Sequence, residues 1–218
     1  ATVSDVTVAI TDNDTAGVFL TSTSVSATEG GANGTYDVVL ESEPTASVDI
    51  TLSLGSEVSA TPGTLTFTDA DWDTPQTVTV TAADDTDVEG AHTDTITHTV
   101  SGAAGDYNGA TVSDVTVDIT DNDAAGVSVT PINVSATEGG ADGSYDVVLT
   151  TAPTADVNVA LSTGGEATSD PTSLTFTPGN WDSQQTVTVE AVDDAVVEGA
   201  HSDSVGHTVT SADADYDG

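Results

Sequence analysis

Lysine and arginine are wholly absent from this 218-residue chain, against 37 Asp and Glu, which leaves a formal net charge of -37. Nucleic acid is excluded as a partner, because phosphate binding requires cationic side chains to displace counterions. The same charge repels an anionic membrane surface. Cysteine is absent too, so neither a disulfide framework nor a thiolate metal site is available, and any metal must be held by oxygen or imidazole. No apolar run approaches the roughly 20 residues that cross a bilayer as a helix. No signal peptide is visible, and the chain opens at Ala1 inside a strand-like pattern, which reads as an internal fragment. Leu, Ile and Phe are sparse, as in disordered chains. Regular β alternation predicts a folded protein instead.

What is present is a repeat. Thr2-Val-Ser-Asp-Val-Thr-Val recurs at Thr111, Val25-Ser-Ala-Thr-Glu-Gly-Gly at Val134, Trp72-Asp at Trp181 and Val88-Glu-Gly-Ala-His at Val197, every match at an offset of 109 residues without insertion or deletion. Self-similarity at a fixed period is the signature of a repeat architecture. The period does not begin at a domain boundary. Val3 to Thr11 reads as a strand that closes something before it, and its copy, Val112 to Thr120, as the strand that closes a first full domain. The expected organisation is therefore 1–14 as the last strand and closing acids of a preceding or neighbouring repeat, 15–123 as a complete domain, and 124–218 as a second domain lacking its last strand. The next copy, or a neighbouring molecule, is expected to supply a segment like Ala1 to Asp14.

Short Val-, Thr-, Ile- and Tyr-rich stretches alternate with Gly, Pro, Asp and Asn clusters, which predicts an all-β antiparallel sandwich of about seven strands per domain. In the first full domain these fall near Val18 to Val25, Thr35 to Leu40, Ser47 to Leu54, Thr64 to Phe67, Gln76 to Thr81, Ala91 to Val100 and Val112 to Thr120. Period-two alternation assigns Val48, Ile50, Leu52 and Leu54 to the core, along with Val78, Val80, Val115, Val117 and Ile119. Trp72 and Trp181 are expected to pack against the sandwich end.

Taken together, Ser-Ala-Thr-Glu29-Gly, Tyr36-Asp-Val-Val-Leu, Gly63-Thr-Leu-Thr-Phe67, Gln76-Thr-Val-Thr-Val, Asp84-Asp85 with Val88-Glu89-Gly, and Ile-Thr-Asp121-Asn-Asp123 resemble the Calx-beta domain. That is an immunoglobulin-like sandwich found in the sodium-calcium exchanger and in arrays in bacterial surface proteins. The resemblance implies calcium at one end of the sandwich. Its ligands would be Glu29, Glu57, Asp84, Asp85, Glu89, Asp121 and Asp123 in the first domain, and Glu138, Glu166, Asp193, Asp194 and Glu198 in the second. Asp12 and Asp14 would serve the preceding unit. Asp87 and Thr86 become Val196 and Ala195 in the second copy, a thinner acidic run than the exchanger's, which implies fewer or weaker ions.

Charge gives the cation a physical reason. Calcium takes six to eight oxygen ligands, and two carboxylates about 4 Å apart repel by roughly 4 kcal/mol at an effective dielectric near 20. With no Lys or Arg, only metal, protons or salt can offset this. Scattered acids such as Asp5, Asp37 and Glu43 read as a solvated surface. His92 and His98, repeated as His201 and His207, share a strand face but lie too far apart for one ion, and are read as packing or surface groups. Asp213-Ala-Asp215-Tyr-Asp217 resembles the start of an EF-hand loop, but the flanking helices are missing and an acidic turn is favoured. No catalytic constellation stands out, so the chain is read as not an enzyme. Thr-x-Thr patterns read as β propensity, with a glycan- or ice-facing surface as the alternative.

The functional expectation is a structural extracellular repeat, secreted or at the cell surface: a calcium-stiffened rod or filament segment of an adhesin, sheath or fibre. Its partners are neighbouring repeats in the same chain or adjacent subunits, with glycan as a further candidate. The alternatives are a ligand-binding module on such a stalk and a subunit of a donor-strand polymer.

Overall fold

A computed structural model describes residues 3–102 and 104–217. Its regular elements are all strands, and they fall into two compact units, Ala1–Asp84 with Ala91–Asn122 and Asp85–Gly90 with Asp123–Gly218. Each unit is an immunoglobulin-like sandwich of two sheets.

In the first unit one sheet runs β1 (Val18–Leu20), β3 (Gly34–Leu40), β7 (Gln76–Ala82), β5 (Val58–Thr61), and the other runs β2 (Ser24–Thr28), β9 (Val115–Thr120), β8 (His92–Gly102), β4 (Val48–Ser53), β6 (Thr64–Phe67). All pairings are antiparallel except β2 with β9, which is parallel over Ser24↔Thr116 to Thr28↔Thr120. Alternate side chains of each strand point between the sheets. Val38, Val48, Ile50, Phe67, Val78, Val80, Ile96, Val115 and Val117 are fully buried there.

The predicted strand Val18 to Val25 is in fact two strands in opposite sheets. The chain crosses over at Ser22, whose hydroxyl accepts the Ser24 N–H at 3.2 Å, and a continuous run of strand-forming residues hides such a crossing. β5 was not expected, since Val-Ser-Ala-Thr is too short and polar to stand out. Leu54, expected in the core, is 38% exposed because β4 stops at Ser53 and the pleat no longer directs the next side chain inward. Trp72 is half-buried against the core, and its carbonyl accepts the Leu40 N–H at 3.1 Å.

Val3 to Thr11, expected to be a strand, has no regular structure. Val3, Val6, Val8 and Ile10 are 92%, 88%, 71% and 88% exposed. A strand is held by pairing, and none is recorded for this stretch among the described residues. Ala1 and Thr2 lie outside the described residues.

The second unit repeats the first sheet as β10 (Val127–Thr130), β11 (Gly143–Leu149), β15 (Gln185–Ala191), β13 (Ala167–Asp170), but its other sheet has three strands, β14 (Ser173–Phe176), β12 (Val157–Thr163), β16 (Val205–Ser211). Residues 133–137, the copy of β2, form no strand, and no described residue of the second unit corresponds to β9. The effect on burial is direct. Val25 is 8% exposed but its copy Val134 is 37%, and Ile96 is fully buried whereas Val205 is only partly so. Both units keep a tyrosine stay. Tyr107 donates to the Ser42 carbonyl at 2.6 Å, and Tyr216 donates to the Thr151 carbonyl at 2.8 Å while accepting the Thr151 N–H at 3.2 Å.

Candidate metal centre

In the second unit three loops bring carboxylates to one histidine. Glu138 comes from the loop before β11, Glu166 from the turn before β13, and Glu198 from the loop between β15 and β16, which also carries His201. The His201 Nε2 lies 3.9 Å from Glu138 Oε1, 3.9 Å from Glu166 Oε2 and 3.7 Å from Glu198 Oε2. Ligand atoms of Glu138, Glu198 and His201 lie within 4.8 Å of one another. Glu138 and Glu198 offer up to four oxygens there, which suits a hard cation completed by water, while Glu166 stands beside the imidazole. The imidazole is a poorer ligand for such an ion. Protonated, it is instead the local counter-charge, and its pKa is raised by the Gly199 carbonyl and by the carboxylates of Glu198, Glu138 and Glu166.

The middle loop is shaped by an acid the sequence reading passed over. Asp203 accepts backbone N–H groups from Ser204 at 2.7 Å, Gly164 at 3.0 Å, and Gly165, Glu166 and Ala167 at 3.1 Å each. The Ser204 N–H contributes most to holding its carboxyl below the usual range, with the Glu166, Gly165 and Ala167 N–H groups adding to it. This nest presents Glu166 to the cluster. Asp94 does the same in the first unit, accepting the Glu57 N–H at 3.1 Å and the Thr95 N–H at 2.7 Å. A Cβ on Gly55 or Gly164 would collide with these carboxylates.

In the first unit Glu29 is 3% exposed, and its Oε1 is 3.9 Å from His92 Nε2. Its ligand oxygen is within 4.8 Å of one of Asp121. Asn122, just past β9, donates to the Glu29 carbonyl at 2.9 Å and to Asp84 Oδ1 at 3.1 Å. Gly30 has φ +56°, and a Cβ there would stand 2.9 Å from Asn122 Nδ2 and 3.0 Å from Asp84 Oδ1. Only glycine fits. Glu138, the copy of Glu29, has a side chain 36% exposed. The closing strand and its Asn122 therefore account for the burial of the first-repeat glutamate.

The remaining expected acids divide as follows. Glu57 sits in the turn before β5. Asp85 and Glu89 belong to the short segment grouped with the second unit, and their ligand atoms are within 4.8 Å of each other. Asp85 also accepts the Asp87 N–H at 2.8 Å, as Asp194 accepts that of Val196 at 2.7 Å. Asp193 lies 3.3 Å from where a Cβ on Gly139 would stand. Asp123 opens the second unit. Asp12 and Asp14 are exposed in the N-terminal stretch, where Asp14 N–H donates to Asp12 at 3.0 Å.

His92 and His201 were missed as members of these clusters. The available signal was the spacing Glu-Gly-Ala-His, which sets each histidine three residues after Glu89 or Glu198. His98 and His207 do pack, with Nε2 at 2.9 and 3.0 Å from the hydroxyls of Tyr36 and Tyr145 and their rings edge to face. Burial pushes the Tyr36 phenol up to about 12. Asp213 forms an acidic turn, accepting the Thr154 N–H at 2.7 Å and the Asp215 N–H at 3.1 Å.

No family model and no curated protein matches the chain. Among solved structures it is similar to the apo-form Calx CBD1 domain at 17% identity and TM-score 0.40, over 50% of this chain and 100% of that one. Similar too are CBD12 from CALX1.2, at 17% identity and TM-score 0.37 over 83% and 76% of the two chains, and the periplasmic chaperone SfaE, at 14% identity and TM-score 0.40 over 78% and 86%. At these values the likenesses assign no role to any residue.

Proposed function

We propose that this chain is a structural segment of an extracellular rod or filament, built from tandem sandwiches and stiffened by calcium at the loop end of each. In this reading residues 15–123 form one complete domain, 124–218 a second, and 1–14 the closing strand and acids of another unit. The observation that carries the metal is the convergence of Glu138, Glu166 and Glu198 from three separate loops in a chain with no Lys or Arg to neutralise them. Glu138, Glu166 and Glu198 would hold the ion in the second domain, and Glu29, Glu57 and Asp121 would contribute in the first. The ion would cross-link loops that otherwise repel, which restrains them without any chemistry on a substrate.

The test is thermal unfolding of the full chain in calcium and in chelator, with magnesium as a control. An ion that binds only the folded state adds about 2.7 kcal/mol at a hundred times its dissociation constant, which for a domain near 100 residues is about 10 °C or more. E138Q/E198Q should remove the second unit's share of the shift. Identical melting curves in calcium and chelator would overturn the reading.

A further inference from the structure

Several asparagines have structural work, and they share a local sequence. Asn122 donates to the Glu29 carbonyl at 2.9 Å and to Asp84 at 3.1 Å. Asn158 accepts the Thr175 hydroxyl at 2.8 Å, and Asn180 accepts the Thr177 N–H at 2.6 Å. Two residues beyond them stand Ala124, Ala160 and Asp182. Asn33 is the opposite case. It is exposed just before β3, its carboxamide makes no hydrogen bond among the described residues, and two residues beyond it stands Thr35.

Asparagine before glycine is commonly a left-handed turn residue, but no described residue other than glycine has a positive φ. Gly34 has its own reason to be glycine, since a Cβ there would stand 2.8 Å from the Ser26 carbonyl oxygen. Neither turn geometry nor packing therefore requires asparagine at 33, and its copy in the second unit is Asp142. Thr35 is exposed on the outer face of β3, opposite Thr79.

Asn-x-Thr, with x other than proline, is the acceptor pattern for N-linked sugar. We infer that Asn33 is a glycosylation site, with Thr35 as the hydroxyl the transferase reads and a lipid-pyrophosphate-linked oligosaccharide as the donor. Transfer joins Asn33 Nδ2 to the anomeric carbon of the donor sugar. That carbon's bond to the pyrophosphate oxygen breaks, the pyrophosphate lipid leaves, and the amide proton passes to base. Asn13-Asp14-Thr15 and Asn133-Val134-Ser135 fit the same pattern, but their counterparts in the first unit have bonds to make: Asn122 those given above, and Ser24 to Asp118 at 2.9 Å. A sugar at Asn33 displaces nothing and adds neutral bulk near Glu29. Gly34 and Thr35 pair with Val80 and Thr79 of β7, so the transferase must read the segment before that ladder closes. The site rests on the extracellular reading proposed above, because the acceptor pattern is used on exported chains.

The test is peptide mass spectrometry of the protein isolated from the cells that make it, with exported and cytosolic fractions kept apart. Trypsin has nothing to cut in a chain without Lys or Arg, whereas cleavage before aspartate releases residues 14–36, in which Asn33 is the only asparagine. In the exported chain this peptide should carry added hexose or hexosamine mass. A peptide amidase in heavy-oxygen water should remove the sugar and leave labelled aspartate at position 33. T35S should keep the sugar at lower occupancy. T35V, which suits an exposed strand position, should lose it with circular dichroism unchanged. Exported chain with bare Asn33 overturns the inference and leaves the extracellular reading standing, whereas a chain found only in the cytosol overturns both. Sugar retained on this peptide in T35V overturns the assignment to this acceptor pattern.

Discussion

The two units should differ sharply in stability when the chain is dilute, because one sheet has its closing strand and the other does not. β9 buries Val115, Val117 and Ile119, and fully burying such side chains contributes about 1.5–3 kcal/mol each, or about 5–9 kcal/mol together. Ordering the backbone costs about 1–2 kcal/mol per residue, roughly offset by about 1 kcal/mol for each hydrogen bond on the two flanking edges. A difference on the order of 5 kcal/mol remains, and the poorer burial of Val134 and Val205 widens it. At about 4 °C or more per kcal/mol for a domain near 100 residues, the second unit should melt about 20 °C below the first. The assay is built in, since each unit packs one tryptophan against its own core, Trp72 in the first and Trp181 in the second. Fluorescence melting of W72F reports the second unit alone and that of W181F the first. Coincident curves at low concentration would refute the claim that β9 carries this share of the stability.

Gly30→Ala should destabilise the first unit by about 1 kcal/mol or more, from its φ of +56° and the crowding by Asn122 and Asp84; urea denaturation of the W181F variant measures it. Tyr216→Phe leaves the buried Thr151 backbone without its partner hydroxyl and should cost the second unit about 1–3 kcal/mol by the same method on W72F. In chelator, the second unit should respond to pH in two senses. Asp213, held low by the Thr154 N–H, and Asp203, held low by the Ser204 N–H, contribute stability that is present above the ordinary carboxylate value and lost as pH falls through their folded values. His201 has a raised folded value, so its contribution is complete below the ordinary imidazole value and disappears as pH rises through the raised one. Proton NMR of the His201 ring should show a midpoint above that of H201 in the urea-unfolded chain; an equal or lower midpoint would contradict the cluster geometry.

Much of the sandwich was legible because burial in a two-sheet core imposes period two, and Val48, Ile50 and Leu52, Val78 and Val80, and Val115, Val117 and Ile119 obey it. Where the chain changes sheets, as between Leu20 and Ser24, the pattern continues while the partner changes, so local sequence could not divide β1 from β2. Val3 to Thr11 shows the limit most clearly. Its residues match β9 almost letter for letter, yet it forms no strand, because pairing is a property of two segments and not of one. The acids were legible as a set through the repeat and the resemblance, whereas His201, Asp203 and Asn122 were not. Their roles come from what loops distant in sequence place beside them, and an aspartate that orders a loop looks the same in sequence as one in solvent.

The parallel pairing of β2 with β9 also has a mechanical meaning. The chain enters the larger sheet of the first unit at Ser24 and leaves it past Thr120, with the two strands side by side and pointing the same way. A pull on the two ends of that unit therefore drives β2 and β9 past each other along their own axes. Their hydrogen bonds are loaded together in shear and cannot open one at a time from an end, so the unit should resist tension better than one whose terminal strands unzip from an end.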